Sequence, residues 1–526
     1  MAAKRRIAKK YGMKILQNSD ILKFIKNVKS PQPPLIKGVI RILRKRAVRT
    51  LSGVAPVAVL VKPFPCPGKC AYCPTEKDVP QSYLSDEPAV MRAIRCNYDP
   101  YKQVQYRLKA LEANGHEPTK IELIVIGGTW SVLPTAYKYW YIKECFRAAN
   151  DYQKNKKLKI KNKKHKQKNI KILKRELIKE QRKNEKAKYK IIGLTLETRP
   201  DYINEKEILE MRELGCTRVE LGVQAVDDKI LAKNLRGHGV KEVTAATKLL
   251  KNYGFKVTYH IMPGLPGSTP AKDLKMFKSL FSDERFQPDQ LKFYPTVVTR
   301  GSLLYRWWRA GKYKPYSNKV LENLIIDCKK SVPEYARIIR LIRDIPAESI
   351  VAGNKITNLR QILEQRGVKC RCIRCRECRD VALQRLYGDG FKLEVIKYKA
   401  SGGEEYFIQV ESNPSYAKAS DGKDKKILYG FCRLRLASHN MEHITHNILK
   451  GAALIRELHV YGELVPVGNK KIIQHAGLGK RLMNEAEKIA RTAGFKKIAV
   501  IAGVGAREYY RKLGYGQKDT YMIKSL

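Results

Sequence analysis

The sequence predicts an α/β protein with two main domains: a partial (β/α)6 barrel of the TIM type, followed by a smaller α+β domain. The chain of 526 residues is longer than a domain with a single hydrophobic core normally is. From Val54 onwards, short apolar runs alternate with amphipathic helices, which indicates parallel strands joined by crossover helices. Beyond about residue 390 the pattern becomes rich in strands, and this change predicts a second core.

Six strand-like runs define the predicted barrel, and helical stretches such as Asn204–Leu214 and Val240–Asn252 lie between them. The runs are Val57–Val61, Ile121–Ile126, Ile191–Leu196, Arg218–Val223, Lys256–Met262 and Gln290–Tyr294. No GxGxxG motif follows the first run, so a partial barrel is favoured over an open dinucleotide-binding sheet. We place the barrel domain at residues 54–350, after a basic N-terminal extension at residues 1–53.

A lysine-rich insertion is predicted at residues 151–190, between the second and third strands. Lys154–Lys190 contains 18 lysines and arginines against three acids. Blocks of like charge are commonly solvated, and they also form arms that bind nucleic acid. A solvated insertion and an RNA-facing arm both remain open.

The second domain is predicted at residues 391–526. Its strands are expected at Leu393–Tyr398, Glu405–Val410, Leu428–Leu436, Leu454–Tyr461 and Lys497–Ile501, with helices at Gly479–Arg491 and Ala506–Leu513 before a last strand. About 135 residues is an ordinary size for one domain. A cysteine-rich linker at residues 351–390 separates the two halves.

The charge of the chain favours a polyanionic partner. Lysine and arginine number 105 against 50 acids, which gives a formal net charge of +55. Such an excess fits contact with nucleic acid phosphates; adaptation of a whole proteome to heat or salt is the alternative. No apolar run is long enough to cross a membrane, and the start lacks the apolar stretch of a secretory signal. We therefore expect a cytoplasmic protein without a membrane partner.

A CxxxCxxC motif, Cys66, Cys70 and Cys73, follows the first predicted strand. Three thiolates on a 4Fe–4S cluster leave one iron open to chelate S-adenosylmethionine, as in radical SAM enzymes. Half of a zinc knuckle is the alternative, although zinc requires a fourth ligand. Gly127 and Gly128 end the second strand and resemble the motif that receives the amino group of S-adenosylmethionine. The alternative is that they form an ordinary turn without a ligand.

A coenzyme A signature opens the long helix of the second domain. Gln474-His475-Ala476-Gly477-Leu478-Gly479 places free backbone N–H groups at a helix start, where they can bind a pyrophosphate. The Q/RxxGxG/A pattern after a strand is typical of the GNAT acetyltransferase fold. Tyr509 and Tyr510 fall on a later helix where this fold often places a phenol near the thioester, although packing alone could explain either one.

Four cysteines, Cys370, Cys372, Cys375 and Cys378, lie within the linker. They are too close in sequence for comfortable disulfides, so a zinc ion is the expected occupant. Cys378 is expected as the fourth ligand, and a second iron–sulfur cluster is the alternative.

The chain resembles the catalytic subunit of the Elongator complex in its archaeal form. The segments that carry the resemblance include Cys66–Cys73, Glu197–Asp201, Arg236–His238, Arg343–Pro346, Arg456–Gly462 and Gly503–Gly505. Members are tRNA uridine carboxymethyltransferases that act on the wobble uridine of the anticodon. The resemblance implies cluster ligation by Cys66, Cys70 and Cys73. It also implies acetyl-CoA contacts at Lys190, Glu457, Leu458, His459, Val460, Gly477, Leu478, Gly479 and Tyr509. The lysine-rich insertion before Lys190 and the cysteines at 370–378 depart from the general family pattern.

Joining an acetyl methyl carbon to carbon 5 of uridine requires a carbon radical, because the methyl hydrogen is poorly acidic. The resemblance therefore implies an S-adenosylmethionine-derived radical, acetyl-CoA as co-substrate, and the tRNA anticodon stem-loop as substrate. Lys190, Tyr509 and Tyr510 are the candidate catalytic side chains, and an electron donor must reduce the cluster. A protein lysine acetyltransferase of the histone type is the rival function. The sequence leaves a homodimer open.

Overall fold

The computed structural model describes residues 2–27, 39–40, 43–44, 53–152, 169–378, 391–412, 426–437, 446–462 and 477–526. It consists of a curled parallel sheet surrounded by helices, followed by a mixed sheet, so the predicted fold class is confirmed. The helices are α1 Ala2–Lys10, α2 Asn18–Asn27, α3 Pro88–Arg95, α4 Pro100–Ala113, α5 Thr135–Asp151, α6 Ile170–Lys186, α7 Glu205–Glu213, α8 Asp228–Lys233, α9 Val240–Asn252, α10 Pro270–Ser282, α11 Leu303–Arg309, α12 Asn318–Ser331, α13 Leu359–Gln365, α14 Ile373–Arg376, α15 Leu478–Thr492 and α16 Arg507–Arg511.

The first sheet contains the six predicted strands in sequence order, and a seventh strand adds to its edge. Its members are β1 Ala55–Leu60, β2 Lys120–Ile126, β3 Lys190–Thr198, β4 Arg218–Gln224, β5 Lys256–Ile261, β6 Gln290–Phe293 and β8 Arg337–Arg340. Every neighbouring pair is parallel. The carboxyl ends of all seven strands therefore share one rim of the barrel, where the loops can build a site. A separate two-stranded ribbon pairs β7 Val298–Thr299 with β9 Ile350–Ala352.

The region predicted as a lysine-rich insertion is not one uniform arm. Residues 153–168 lie outside the described residues, but Ile170–Lys186 forms the packed helix α6. Leu173 and Leu177 are buried against the barrel, and Asn184 accepts a hydrogen bond from the Ile191 backbone N–H at 2.7 Å. Within the predicted insertion, residues 170–186 are therefore a packed helix with its lysines on the outer face, and the two interpretations of that charge, solvation or RNA contact, stay predictions.

The second sheet has the order β10-β11-β12-β13-β14-β16-β15. Its strands are β10 Phe391–Ala400, β11 Gly403–Ser412, β12 Leu428–Ala437, β13 Ala452–Val460, β14 Lys497–Val500, β15 Gly516–Lys518 and β16 Tyr521–Ser525. All pairs are antiparallel except β13 with β14. That parallel pairing runs only from Ala452 to Ile455, so β13 continues for five residues beyond it.

The second domain packs against the amino ends of the barrel strands. Arg456 of β13 donates to Asp289, the residue before β6, and to the carbonyl of Phe255, the residue before β5. Tyr521 donates to the Tyr253 carbonyl at 2.9 Å. Backbones approach closely here, so a Cβ added at Gly503 would clash with the Ile192 carbonyl oxygen. One continuous apolar core includes buried residues of both domains.

At the start of the chain, α2 contacts the barrel through Leu22, which is almost fully buried. Asn18 donates to the Leu43 carbonyl at 2.8 Å, and Arg44 donates to the Gly115 carbonyl at 3.1 Å. Among the residues that the structure describes, we find no helix with the length and apolarity needed to cross a membrane.

Candidate active site

The loop after β1 carries Cys66, Cys70 and Cys73 at the carboxyl rim of the barrel. A short turn shapes it, in which the Cys73 backbone N–H donates to the Cys70 carbonyl at 3.1 Å. Cys70 is buried, whereas Cys66 and Cys73 are partly exposed. Arg236 donates to the Cys70 sulfur at 3.1 Å. A hydrogen bond from Cys73 and the charge of Arg236 lower the pKa of Cys70 to about 4, so this thiol is ionised at neutral pH.

Several polar atoms around the cysteine loop are buried without a hydrogen-bond partner among the described residues. They are Oη of Tyr72, Nη1 of Arg199 and Nε of Arg236. Burial of an unsatisfied polar group is costly, so a site of this kind fits a bound polar group. The three thiols, with cationic side chains behind them, therefore fit the ligand set of an iron–sulfur cluster and a charged molecule beside it.

Gly127 and Gly128 follow β2 and lie beside the cysteine loop. Both have positive φ angles, 126° and 94°, which an L side chain rarely adopts. A Cβ at Gly127 would lie 2.6 Å from Cγ2 of Val61. Thr129 comes next, and its Oγ1 is 3.8 Å from the Cys66 sulfur. The structure thus brings the Gly-Gly pair and the cysteines together, as the strand order predicts.

The interior of the barrel is charged. Glu220 is 1% exposed; it accepts from the Lys292 ammonium and lies 3.0 Å from Nε2 of His260. The other ring nitrogen of His260 is 3.6 Å from Glu197, and the Tyr83 hydroxyl donates to Glu197 at 2.9 Å. Although burial alone would raise it, the charge of Lys292 and the contact with His260 hold the pKa of Glu220 well below its usual range. This chain of polar side chains spans the middle of the barrel.

A single cavity of about 1060 Å³ connects the two halves of the protein. At the carboxyl rim its wall includes Tyr72 and Ser82 of the cysteine loop. At the other end the wall includes Glu457 and His459 of β13. The strands between them are about 20 Å long, at roughly 3.3 Å per residue. The cavity therefore passes through the barrel and ends at the second domain.

A second concave surface lies along α15. Gly477, with φ 82°, precedes the helix, and a cavity of about 500 Å³ is lined by Leu393 of β10 and, along successive turns, by Gly477, Lys480, Arg481, Asn484, Glu485 and Lys488. At the first turn the helix start lies beside Lys480 and Arg481, and this end of the surface fits an anionic diphosphate. Of the predicted motif, Gln474–Ala476 lies outside the described residues, Gly477 and Gly479 line this turn, and Leu478 is buried.

Tyr509 reaches the same turn, because a Cβ added at Gly479 would lie 2.5 Å from its hydroxyl oxygen. Burial raises the pKa of Tyr509 to about 12, so it is a neutral phenol. Tyr510 points instead into the core between Tyr509 and Tyr515, at ring distances of 5.3 and 6.0 Å. The structure therefore places the Tyr509 hydroxyl at the start of α15, whereas Tyr510 packs in the core.

The other residues predicted for the acyl donor lie on two strands. Glu457 accepts from Arg433 at 2.9 Å and from Lys256 at 3.3 Å. Burial opposes ionisation of Glu457, but the charges of Lys256 and Arg433 lower its pKa to about 2. Leu458 and His459 line the cavity, and Val460 ends the strand. Lys190 begins β3 at the domain seam, where its ammonium donates to the Glu185 carbonyl at 2.8 Å and burial lowers its pKa.

Three of the four linker cysteines converge. The sulfur atoms of Cys370, Cys372 and Cys375 all lie within 4.8 Å of one another. Tetrahedral Zn–S bonds of about 2.3 Å separate their sulfurs by roughly 3.8 Å, so this set fits one metal ion. Cys378 is not in the group; its backbone N–H donates to the Leu428 carbonyl at 2.9 Å, and its side chain is buried. The predicted four-cysteine set is therefore reduced to three, because α14 ends before Cys378 and the chain there joins β12.

Comparison with known proteins gives consistent matches along the chain. The radical SAM superfamily model matches residues 65–280, the radical SAM C-terminal domain residues 288–369, and the GNAT acetyltransferase family residues 404–515. The tRNA uridine(34) acetyltransferase of Dehalococcoides mccartyi is 45% identical over 488 residues, or 92% of this chain and 100% of that protein. Elongator complex protein 3 of Homo sapiens is 36% identical over 99% of this chain and 92% of its own length. The solved structure of the archaeal Methanocaldococcus infernus Elp3, with an N-terminal deletion, has a TM-score of 0.72 at 38% identity and covers 90% of this chain and 99% of that one.

The fold and the site define a radical SAM protein fused to a GNAT acetyltransferase domain. More narrowly, the chain belongs to the family of the tRNA uridine(34) acetyltransferases and Elongator complex protein 3.

Sequence reasoning missed the charged interior of the barrel as a site. Glu220, His260 and Lys292 occur in sequence runs that are otherwise typical of buried strands. Ionisable side chains are rarely buried without a partner, so their presence in such runs is the signal that could have identified the site. Arg236 was recognised only as part of a segment that carries the family resemblance, and its contact with Cys70 across 166 residues of sequence was not predicted. No local pattern encodes a contact of that separation.

Proposed function

We propose that this chain is an acyltransferase that forms the 5-carboxymethyl group on the wobble uridine of tRNA, using acetyl-CoA and S-adenosylmethionine. The cavity of about 1060 Å³ carries the proposal, because its wall includes both the cysteine loop and β13. A product that combines an acetyl carbon with a radical reaction requires these two sites to share one space. The names of the relatives, tRNA uridine(34) acetyltransferases, support the same substrate.

The barrel residues take defined roles in this proposal. Cys66, Cys70 and Cys73 would hold a 4Fe–4S cluster, and Gly127–Gly128 would bind S-adenosylmethionine beside it. When bound, these groups supply a carbon radical, the reactivity that a new bond to carbon 5 of uracil requires. Glu220 and Lys292 form a buried ion pair inside the barrel and would orient the polar uracil ring.

The second domain would bind acetyl-CoA with the diphosphate at the first turn of α15 and the thioester near Tyr509. Because β13 extends past its pairing with β14, its edge from Arg456 to Val460 faces the region where a pantetheine arm would lie. The neutral Tyr509 phenol would donate a hydrogen bond rather than accept a proton. Lys190 lies at the same seam and would contact the donor from the barrel side.

A protein lysine acetyltransferase, the rival function, is not favoured by this geometry. Such an enzyme requires a general base near the thioester. Glu457 is held ionised by Arg433 and Lys256 with a pKa of about 2, so it is a poor base. A chain of net charge +55 would also repel a basic peptide tail.

We further propose that Cys370, Cys372 and Cys375 bind one zinc ion and anchor the linker to the barrel. The Ile373 backbone N–H donates to the Ala336 carbonyl at 2.9 Å, so the cysteine segment lies directly against the start of β8. Metal analysis of protein prepared without its iron cluster should find about one zinc per chain. Cys375→Ser should lose that zinc and Cys378→Ser should keep it; iron in place of zinc would favour a second cluster.

The test of function is an anaerobic assay with reconstituted protein, total tRNA, S-adenosylmethionine and labelled acetyl-CoA, followed by mass spectrometry of the nucleosides. We expect label in carboxymethyluridine with the wild-type chain and none with Cys70→Ala, which should also lose its visible iron–sulfur absorbance. Cys96→Ala, which removes a buried thiol outside the site, is the matched control and should retain the product. Label on lysine side chains instead of uridine would contradict the proposal.

The domain boundaries at residues 54–350, 351–390 and 391–526, the cytoplasmic location and a homodimer stay predictions. The boundaries are supported by the extents of the two sheets, since the last barrel strand ends at Arg340 and the second sheet begins at Phe391.

A further inference from the structure

Helix α11 and its flanking residues present a basic surface next to the cysteine loop. Between residues 300 and 316 there are five basic side chains and no acidic one. We call this surface the α11 face; it consists of Arg300, Arg306, Arg309, Lys312 and Lys314, all of which are exposed. None of the five forms an ion pair with a carboxylate of the described residues, so their charge is available to another molecule.

The α11 face is attached directly to the cysteine loop by backbone hydrogen bonds. The Leu304 N–H donates to the Ala71 carbonyl at 2.7 Å, and the Thr75 N–H donates to the Gly301 carbonyl at 3.2 Å. Gly301 has a φ of 77°, and a Cβ there would lie 2.8 Å from the Thr75 carbonyl oxygen. The helix is therefore held in a fixed position relative to Cys70 and Cys73.

The interior between the α11 face and the cysteines is apolar. Leu304 is fully buried in one small cluster with Cys70 and Tyr72. Trp307 and Trp308 pack on that cluster, and the rings of Tyr305 and Trp308 stack at 6.0 Å. The apolar and aromatic side chains of this one cluster thus lie between the basic helix and the sulfur of Cys70.

This surface lies outside the cavity, because none of the residues from Arg300 to Tyr316 lines it. A nucleotide must enter the cavity to react, whereas an electron can pass through a layer of side chains without an opening. Basic and aromatic residues also suit RNA, but here the rings are half-buried and stacked on one another rather than presented to solvent. The geometry therefore favours a protein that delivers electrons.

We propose that the α11 face is the docking surface for a small acidic electron-carrier protein that reduces the cluster. The inference rests on the proposed function, since it takes a redox cluster at Cys66, Cys70 and Cys73. In the step, the reduced carrier loses one electron, the cluster gains it, and the oxidised carrier dissociates. Charge complementarity accelerates such encounters and makes them sensitive to salt.

Binding is measured first, without the cluster. Cluster-free protein is titrated into oxidised flavodoxin, an acidic flavoprotein, and flavin fluorescence anisotropy gives the dissociation constant. The test variant is Arg306→Glu/Arg309→Glu, two exposed positions three residues apart on one helix. The matched control, Lys206→Glu/Lys248→Glu, makes the same change in net charge on the exposed sides of α7 and α9. We expect at least tenfold weaker binding for the test variant and less than twofold change for the control.

Reduction of the loaded protein is then followed by the loss of cluster absorbance. Reduced flavodoxin should reduce the cluster of the test variant at least tenfold more slowly than that of the wild type. Dithionite, which requires no docking, should reduce the wild type and the test variant at equal rates. Arg306→Lys/Arg309→Lys, which keeps both positive charges, should bind flavodoxin as the wild type does and thereby assign the loss of binding to charge.

Equal flavodoxin affinity in the wild type and the test variant, or no binding to either, would overturn the inference. Loss of tRNA affinity with flavodoxin affinity unchanged would assign the face to RNA instead. A failure of the proposed function is separate: dithionite-reduced wild type would then not cleave S-adenosylmethionine, while the binding measurement would still stand.

Discussion

Gly479 is the residue at which three elements of the second domain meet. It lies in the first turn of α15, and a Cβ there would be 2.5 Å from the Tyr509 hydroxyl of α16 and 3.9 Å from Cδ2 of Leu458 on β13. Only glycine lets the phenol approach the helix start so closely. The requirement at this position is therefore the space for Tyr509 rather than an unusual backbone angle.

Gly479→Ala is expected to weaken acetyl-CoA binding by about tenfold while the fold is retained. Tyr509 is 40% exposed and can rotate away from the new methyl group. The substitution should therefore displace the phenol from the acetyl-CoA site without destabilising the fold. Isothermal titration with acetyl-CoA gives the affinity, and the thermal midpoint checks the fold. In Gly479→Ala/Tyr509→Phe the phenol oxygen is gone, and affinity should return to that of Tyr509→Phe alone. An additive loss in the double variant would show that the clash is not the cause.

At the scale of elements, α6 shows how a strongly charged segment can still be a core helix. Its outer face is lysine-rich, but Glu185 accepts from Arg507 at 3.0 Å and from Arg511 at 2.7 Å across the domain seam. Gln181 donates to the Glu213 carbonyl at 3.0 Å. The helix therefore ties the barrel to α16, the helix that carries Tyr509.

Leu177→Ala should destabilise the protein by about 3 kcal/mol, because it opens a cavity beneath α6. Its neighbour Ile178 is 47% exposed, so Ile178→Ala removes a similar volume from the surface and should cost well under 1 kcal/mol. The unfolding midpoint in urea compares the two variants. Equal, small effects would mean that α6 is not packed as described.

The sequence predicted the secondary-structure elements correctly where apolar residues recur at a regular spacing. It missed elements in which charged residues interrupt that spacing. All six apolar barrel strands were found, but β8 was missed, because Arg337 and Arg340 occupy both ends of a four-residue strand. Helix α6 was missed for the same reason. The cysteine motif and the Gly-Gly pair were located correctly next to each other, since both follow strands of one parallel sheet. The exclusion of Cys378 depends on where α14 ends, which the spacing does not encode.

At the scale of the whole molecule, the contact between the domains is dominated by buried charge. Asp289 and Glu405 lie between Arg456, Arg435 and Lys251, all essentially inaccessible to solvent. The Lys251 ammonium is 3.5 Å from Asp289 and 3.6 Å from Glu405, and it makes no hydrogen bond within the described residues. Burial lowers the pKa of Lys251 from 10.5 to about 8, so its charge at neutral pH opposes folding.

Lys251→Met is therefore expected to stabilise the protein at pH 7, by up to about 3 kcal/mol. The folded pKa lies below the unfolded one, so the unfolded chain binds more protons between pH 8 and 10.5. The stability of the wild type consequently rises over that range, and the advantage of the variant should shrink with it. Thermal midpoints at pH 7 and pH 10 measure both effects. A variant that is less stable at pH 7 would mean that Lys251 is required to balance Asp289 and Glu405.

The net charge predicts that tRNA affinity falls steeply with salt. Each phosphate contact that is lost should flatten the slope of log affinity against log salt by about 0.7–0.9. Neutralising four lysines outside the described residues, Lys163, Lys164, Lys166 and Lys168, should flatten it by roughly three if that segment touches RNA. The control neutralises four exposed lysines on outer helices, Lys206, Lys272, Lys275 and Lys278. Filter binding between 50 and 200 mM salt, a range of about fourfold, measures each slope, and an unchanged slope in the first variant would remove the segment from the RNA surface.

The adjacent opposite charges on β13 have a consequence for how the gene can vary. Arg456 pairs with Asp289 and Glu405, whereas the next residue, Glu457, pairs with Lys256 and Arg433. The deletion of one codon upstream of them would move Glu457 into the position of Arg456 and Leu458 into the position of Glu457. Glu457 would then join two buried carboxylates, and Lys256 and Arg433 would lose their carboxylate partner. Selection should therefore remove single-residue insertions and deletions in this strand, while point substitutions in the surrounding loops accumulate.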